Sequence, residues 1–264
     1  MAWRRYLLVP RLVVASLGAP RDQTRAWNRF WSGVHRTGAD GDVLWDVAHP
    51  EETGFTAAQL RTHADLSLPM VDLGCGNGSR ARALAALCPR VVGIDVAAAA
   101  IERARTESAE VPTVDFRVAD AADPAAGPGL AAEIGDANVH MRGVLHVVPP
   151  AARPAVVRTI ARLLGRRGTL FLSETNAPGD PLDYLAAQGV TPTRMPAMIH
   201  RLIASGVRPP SHFGAAEVAE HFPQPPWQVL AEGPTIMYGQ PVRPGGEPQR
   251  IPSYFVVLRP TTPA

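Results

Sequence analysis

The chain of 264 residues contains no lysine: all 26 of its basic residues are arginine. That excludes a lysine Schiff base and a phosphate-binding loop of the kind that ends on lysine. It does not make the arginines phosphate binders. Alanine and proline are also abundant, as in a GC-rich coding sequence, and a net charge of +2 gives no general case for a nucleic-acid partner. Cysteine is nearly as scarce. Cys75 and Cys88 are too few for a disulfide scaffold or a cysteine-built metal site, and both fit a reducing cytosol, so the expected location is cytoplasmic. With no clustered His/Cys/Asp ligand set, no metal is expected either. Long apolar runs are missing too. The first 20 residues place basic residues ahead of apolar ones, as a secretion signal would, but Pro10 and Arg11 interrupt the run. A poorly ordered extension, or an upstream start, is expected there instead. No membrane partner is expected.

What the sequence does have is Met70-Val-Asp-Leu-Gly-Cys-Gly-Asn-Gly78. Val71 and Leu73 read as alternate positions of a short buried strand. Gly74, Cys75, Gly76, Asn77 and Gly78 form a turn that needs unusual backbone angles, and the alanine-, leucine- and arginine-rich stretch Ser79 to Leu87 is helical in character. A strand, a glycine turn and a helix start together make a nucleotide-type site, with backbone N–H groups expected to point outward. The dinucleotide fingerprint wants a third glycine where Ser79 stands, and here the glycine falls one residue early, at Gly78.

From residue 70 onward strand and helix alternate. Strands are expected near 70–74, 90–95, 113–118, 137–142 and 168–173, and helices near 79–88, 97–108, 128–134, 151–164 and 214–221. Five alternations imply an α/β fold with a parallel sheet covered on both faces. Trp227 to Tyr238 and Ile251 to Leu258 read as a C-terminal antiparallel hairpin around the loop 239–248. Residues 176–213, rich in proline, read as an inserted cap. Upstream, a helix over 51–66 is expected to be capped by Thr56. Trp27, Phe30 and Trp31 share one helical face; they either dock that helix or, with Trp45, form a lid whose apolar face completes a substrate pocket. The division expected is an N-terminal extension and lid over 1–50 and one domain over 51–264.

Asp72 lies inside the first strand, Asp95 ends the second, and Asp120 follows the third, so all three reach the carboxyl edge of the sheet, where open α/β sheets bind ligands. Asp95 suits the two hydroxyls of a ribose or, alternatively, caps the helix after it. An acid at the third position is not part of the dinucleotide fingerprint.

The Asp-x-Gly-x-Gly-x-Gly pattern, with Asp95 and Asp120, resembles the class I S-adenosylmethionine-dependent methyltransferases of small-molecule type. The resemblance covers residues 70–175 well and the hairpin in outline. It implies a Rossmann-like, seven-stranded, mostly parallel sheet and S-adenosylmethionine as cofactor, leaving S-adenosylhomocysteine as product. It assigns Asp72, Gly74, Cys75 and Gly76 to the methionine end, Asp95 to ribose and Asp120 to adenine, with Val96 and Ala121 flanking the purine. The stretch Ala137 to Pro150 resembles the fourth-strand region of O-methyltransferases, placing His146 on the histidine that serves as general base in plant-type members. A structural role for His146 stays open, since Val147 and Val148 depart from the pattern. Arg142 either bonds the methionine carboxylate or braces the N-terminal segment. Glu174, Trp27, Trp31, Met195 and Met198 are candidates for the substrate pocket. His140 is expected in the core, and His212 is a weaker acid/base candidate.

Methyl transfer to a small apolar or aromatic metabolite is the expected activity, on oxygen first, with carbon or nitrogen close behind. A non-catalytic protein that binds the same cofactor, or a nicotinamide-dependent oxidoreductase, are the alternatives. Oligomeric state is not legible.

Overall fold

Every residue of β1, Met70–Leu73, is buried, because this strand runs through the middle of a sheet covered on both sides. The computed structural model describes residues 6–176, 181–241 and 245–261. β1 is followed by β2 (Val91–Asp95), β3 (Val114–Val118), β4 (Asn138–Arg142), β5 (Leu170–Thr175), β6 (Trp227–Gly239) and β7 (Gln249–Pro260). They form one seven-stranded sheet in the order β3-β2-β1-β4-β5-β7-β6. The first five are parallel, while β7 runs antiparallel to both β5 and β6. The expected sheet and hairpin are therefore present. Residues 242–244 of the hairpin loop and 177–180 of the cap lie outside the described residues.

Strand alternation sorts the core into two layers. Val71, Leu73, Val139 and Met141 face Leu130, Val156, Ile160 and Leu163, which come from α6 (Ala126–Ile134) and α7 (Arg153–Leu164). Met70, Val91, Phe171 and Val257 face Leu60, Ala81, Leu84 and Ile101 from α3 (Pro50–His63), α4 (Ser79–Leu84) and α5 (Ala98–Glu107). The sheet reverses its winding between β1 and β4, so a crevice opens at the carboxyl ends of these two strands.

The N-terminal segment departs from expectation. Residues 9–15 form helix α1 (Val9–Ala15), and Leu8, beside it, is buried with Ile199 and packed by Leu12. Ile199 belongs to α9 (Ala197–Ser205), which with α8 (Pro181–Ala187) makes up the cap. Helix α2 (Gln23–Ser32) is capped by Asp22, whose Oδ1 accepts the Arg25 N–H at 2.8 Å. Its Phe30 and Trp31 are buried against Ala97 and Ala100, and Asn28 Oδ1 accepts the Ala99 N–H at 2.9 Å, capping α5 from outside. The expected cap at Thr56 is corrected: α3 starts at Pro50, and Nδ1 of His49 accepts the Glu51 N–H at 3.3 Å. Proline is preset for the first helical position, so the helix begins about two turns earlier than the polar signal suggests. Between β5 and the hairpin lies α10 (Ala215–His221).

Candidate active site

The bend after β1 works by closeness rather than by free donors. Gly76 has φ +54, and a Cβ there would lie 2.7 Å from Cζ2 of Trp31; a Cβ on Gly74 would lie 2.4 Å from Cγ2 of Val144. Only bare backbone fits between these side chains. The expectation of outward-pointing amides is corrected. The Gly74 and Cys75 N–H groups donate to the Ile94 carbonyl at 2.8 and 3.0 Å, and Gly78 N–H donates to the Cys75 carbonyl at 2.9 Å. The bend must be fixed to its neighbour strand before it can hold anything. Cys75 is buried, and burial, then the charges of Asp95 and Asp72, push its thiol well above the ordinary range, so it is no thiolate nucleophile.

The three aspartates share one cavity of about 420 Å³, lined also by Gly74, Cys75, Gly76, Val96, Ala121 and Arg142. Asp72 is buried; its Oδ1 is 2.7 Å from Nδ1 of His140, and its Oδ2 is buried without a partner. Asp95 accepts from Gly76 N–H at 3.0 Å and from Ala97 N–H at 2.9 Å. It thus ties the glycine bend to the start of α5 and still presents its carboxylate to the cavity. Its carboxyl is pushed up to about 6 by burial, against the pull of those N–H groups and with a further push from Asp72. Asp120 is exposed, and its Oδ1 accepts the Ala122 N–H at 2.8 Å.

The opposite wall comes from the N-terminal segment. Arg21, Gln23, Thr24, Trp27, Trp31 and Trp45 line it, and Trp45 stacks on Phe30 at 5.3 Å. Asp46 closes the seam: its Oδ2 accepts from Asn77 Nδ2 at 2.9 Å and from Gly38 N–H at 2.7 Å. Sequence reasoning missed Asp46, Asn77, Arg80 and Glu52. Arg80 did carry a signal, since a cation in the first turn of a helix opposes the helix dipole and calls for another partner.

That partner is Glu52, at 3.1 Å from Arg80. Glu52 also receives a forked pair from Arg142, with one bond at 3.0 Å through Nη2 and a shorter one through Nε. Arg142 donates further to the carbonyls of Trp45 and Tyr238, each at 3.1 Å. It therefore braces the N-terminal segment. Most of its fork is committed to that bracing, although it still borders the cavity. Burial, and then the neighbouring charge of Arg142, lowers Arg80 to about 10. With Glu52 balancing part of the two arginines, Asp46, Asp72, Asp95 and Asp120 leave an acidic surface around the bend.

Four candidate residues are not brought to the cavity: His146, Glu174, Met195 and Met198 are absent from its lining. Glu174 is fully buried and accepts from the backbone N–H groups of Val144, Leu145 and His146 at 3.0, 2.7 and 3.3 Å. Its carboxylate also pairs with Nδ1 of His146. Those bonds fold the chain after β4 into a turn that sends Val144, Val147 and Val148 to the cavity and the imidazole behind them. Met195 and Met198 pack with Leu8, Leu44 and Val190 inside the cap. His212 lies 4.0 Å from Glu217, away from the lining. His140, expected in the core, is buried there and stacks on Phe171.

A parallel sheet wound around a glycine bend, with acids at the carboxyl ends of three neighbouring strands and an antiparallel hairpin, defines the Rossmann-like architecture of the class I methyltransferases. Residues 70–168 match the family model described as a methyltransferase domain. The chain is 33% identical over 165 residues to the ubiquinone biosynthesis O-methyltransferase of Xanthomonas campestris pv. campestris (strain B100), covering 60% of this chain and 66% of that protein. It is 37% identical over 154 residues to the protein of the same name from Xanthomonas axonopodis pv. citri (strain 306), covering 56% of this chain and 57% of that one. The chain thus spans 66% and 57% of the length of these two relatives. In fold it is similar to an S-adenosylmethionine-dependent methyltransferase from Anabaena variabilis, with a TM-score of 0.79, 24% identity, and coverage of 92% of this chain and 96% of that one. Residues 70–168 are thus similar to methyltransferase domains in sequence, and the chain shares the fold of S-adenosylmethionine-dependent methyltransferases.

The residues fit that cofactor on this structure's own terms. A buried, unpartnered carboxylate oxygen at Asp72 calls for a donor, and an acidic surface suits a ligand with an ammonium and a sulfonium. The cleared backbone at Gly74 and Gly76 lets such a ligand approach closely.

Proposed function

We propose that this chain is a methyltransferase acting on a small, apolar or aromatic metabolite, with oxygen the favoured acceptor. The observation that carries the reading is the single cavity running from Asp72, Asp95 and Asp120 to the rings of Trp27, Trp31 and Trp45. It holds cofactor-type and apolar walls within one volume of about 420 Å³, which suits a small acceptor. The favoured acceptor atom rests on the relatives named O-methyltransferases. Bound S-adenosylmethionine would supply a methyl group already activated by a positively charged sulfur. The chain's own residues then contribute alignment and exclusion of water.

Asp72 would accept from the ammonium of the methionine end, Asp95 from the ribose hydroxyls, and Asp120 from the adenine amino group, between Val96 and Ala121. Residues 21–46 act as the lid, held by Asp46 and Arg142. Trp27 and Trp31 form its substrate-facing wall. His146 and Glu174 act through the turn they hold, and Met195 and Met198 through the cap's packing. Among the described residues no helix is long and apolar enough to cross a membrane, and we place the activity in the cytoplasm.

Titration with S-adenosylhomocysteine and separately with NAD tests the cofactor; tight binding of NAD alone removes the reading. Methyl-labelled S-adenosylmethionine incubated with protein and a metabolite extract tests the reaction. Label in a small organic product is expected, whereas cofactor binding without any transfer would leave a protein that only binds the cofactor.

A further inference from the structure

Large apolar side chains are exposed almost entirely in one place. Leu7, Val9, Val13, Val14 and Leu17 are 49, 40, 54, 68 and 71% exposed, and beyond residue 17 the only other large hydrophobic side chain so exposed among the described residues is Val118. Pro10, Val13 and Val14 follow one another at i, i+3 and i+4, which aligns them along one side of α1, and Leu17 lies in the turn just after it. Leu8 and Leu12 take the other side, against the cap helix α9. α1 is therefore apolar on both sides: its inner edge is already packed, and its outer, solvent-facing side is apolar as well.

Charge is as uneven as hydrophobicity. Residues 1–29 hold Arg4, Arg5, Arg11, Arg21, Arg25 and Arg29 against one acid, Asp22, while the whole chain carries only +2. The rest of the molecule is consequently acidic on balance. Two of these arginines are tied to the helix and its partner: Arg29 donates to the Gly18 carbonyl at 2.9 Å and Arg11 to the Pro192 carbonyl at 3.1 Å.

We propose that the outer side of α1 docks on an anionic lipid surface, lying in the interface without crossing it. An apolar stripe within an arginine-rich stretch of chain is the pattern that partitions into headgroups and gains from their negative charge. A second copy of the chain fits less well. A stable dimer buries about 800 Å² on each partner, more than one seven-residue helix can offer, and paired arginine-rich ends would repel. No helix among the described residues is long and apolar enough to cross a membrane, and docking in the interface needs none. The geometry also gives the docking a use. Arg21, Gln23 and Thr24, directly after α1, border the cavity, so a docked α1 would bring the cavity's rim to the lipid surface, where an apolar acceptor concentrates. That use rests on the proposed function; the docking does not.

The test is flotation of the purified full-length protein with vesicles of phosphatidylcholine alone, or of phosphatidylcholine with phosphatidylglycerol. Flotation is expected only with the anionic vesicles and should fall as salt rises. The double variant Val13→Asp/Val14→Asp should lower the bound fraction at least about tenfold, from withdrawn apolar area and added negative charge together. It should leave the circular dichroism spectrum and S-adenosylhomocysteine affinity unchanged. Equal flotation of wild type and variant, or none with either vesicle, overturns the proposal. So does a lipid-free dimer in light scattering that the variant dissociates, since the occupant would then be a second copy. If S-adenosylhomocysteine fails to bind but flotation behaves as expected, the docking stands and only the function falls.

Discussion

Nδ1 of His140 stands 2.7 Å from Oδ1 of Asp72 and leaves that carboxylate's other oxygen buried without a partner. The two residues are register partners on adjacent strands, β1 and β4, so their side chains lie on the same face. The ring is further fixed by stacking parallel to Phe171. One oxygen is thereby held by the sheet and the other kept for a ligand.

His140→Leu should therefore weaken S-adenosylhomocysteine binding, by about 1–3 kcal/mol as the carboxylate loses its anchor. His140→Asn should restore part of it by offering an amide N–H. Calorimetry decides between these outcomes. Equal affinity in all three proteins would mean that Asp72 does not face the cofactor.

Asp95 predicts a pH dependence. Its carboxyl titrates at about 6 in the protein against an ordinary 3.8, and hydroxyl donors on a ribose need the ionised form. Cofactor affinity should fall as pH drops through about 6, and binding near that pH should release protons. The effect on the unliganded protein has the opposite sign. A raised carboxyl binds its proton more tightly folded than unfolded, so its contribution to stability is lost as pH rises through about 6. Asp95→Asn keeps one of the two accepted N–H bonds but has no proton to release, so it should weaken the cofactor and flatten the pH profile of its binding. A wild-type affinity flat from pH 5 to 8 removes the ribose assignment.

The sheet and the aspartates at its edge were legible because they depend on local patterns: strand period, glycine bend and the residue at each strand end. Trp27 and Trp31 were legible as a helix face for the same reason. Asp46, Glu52 and Arg80 were not, because their meaning comes from partners far along the chain. No spacing joins Glu52 to Arg142, 90 residues on, or Asp46 to Asn77. His146 was read from a motif, and the motif could not show that Glu174 would turn the ring behind Val147. The cap methionines were candidates because a thioether adapts to irregular apolar surroundings, and here those surroundings are Leu8 and Val190.

Glu52 ties four parts of the chain together. It bonds Arg142 on β4, Arg80 on α4 and the Tyr238 N–H of β6 at 2.9 Å, all from α3. Burial pushes its carboxyl up, but the charge and forked bonds of Arg142, then Arg80, hold it below the ordinary 4.5. Its contribution to stability is therefore present above pH 4.5 and lost as pH falls through the lowered value. Glu52→Ala leaves two buried guanidiniums facing each other and should cost about 3–5 kcal/mol in urea unfolding at pH 7. The gap from wild type should narrow in acid. Equal midpoints at pH 7 would show that this junction is not cooperative with the core.

Gly76→Ala tests how closely the lid sits on the bend. The added methyl would press on Cζ2 of Trp31 at a backbone φ of +54, so both the bend and the lid must shift. Cofactor affinity should fall at least about tenfold. The double variant Gly76→Ala/Trp31→Ala should regain part of it, because the clash is removed and only the backbone cost remains. No recovery in the pair would assign the whole loss to the bend.

His146→Ala separates a base from a brace. The imidazole has the pairing a base would need, with Glu174 orienting Nδ1 and leaving Nε2 to act. Its position argues otherwise, since Gly143, Val144 and Val147 line the cavity and the ring does not. Loss of a general base would cut kcat by about a hundredfold or more, and the acidic limb of the pH–rate profile would vanish. Loss of a brace leaves a buried carboxylate, Glu174, with one partner fewer, and should cost about 1–3 kcal/mol of stability. Turnover should then fall by less than about tenfold with the pH profile unchanged. His146→Gln, whose amide can donate to Glu174, should recover the stability and the turnover together. An inactive but fully stable His146→Gln protein would instead place the imidazole in the chemistry.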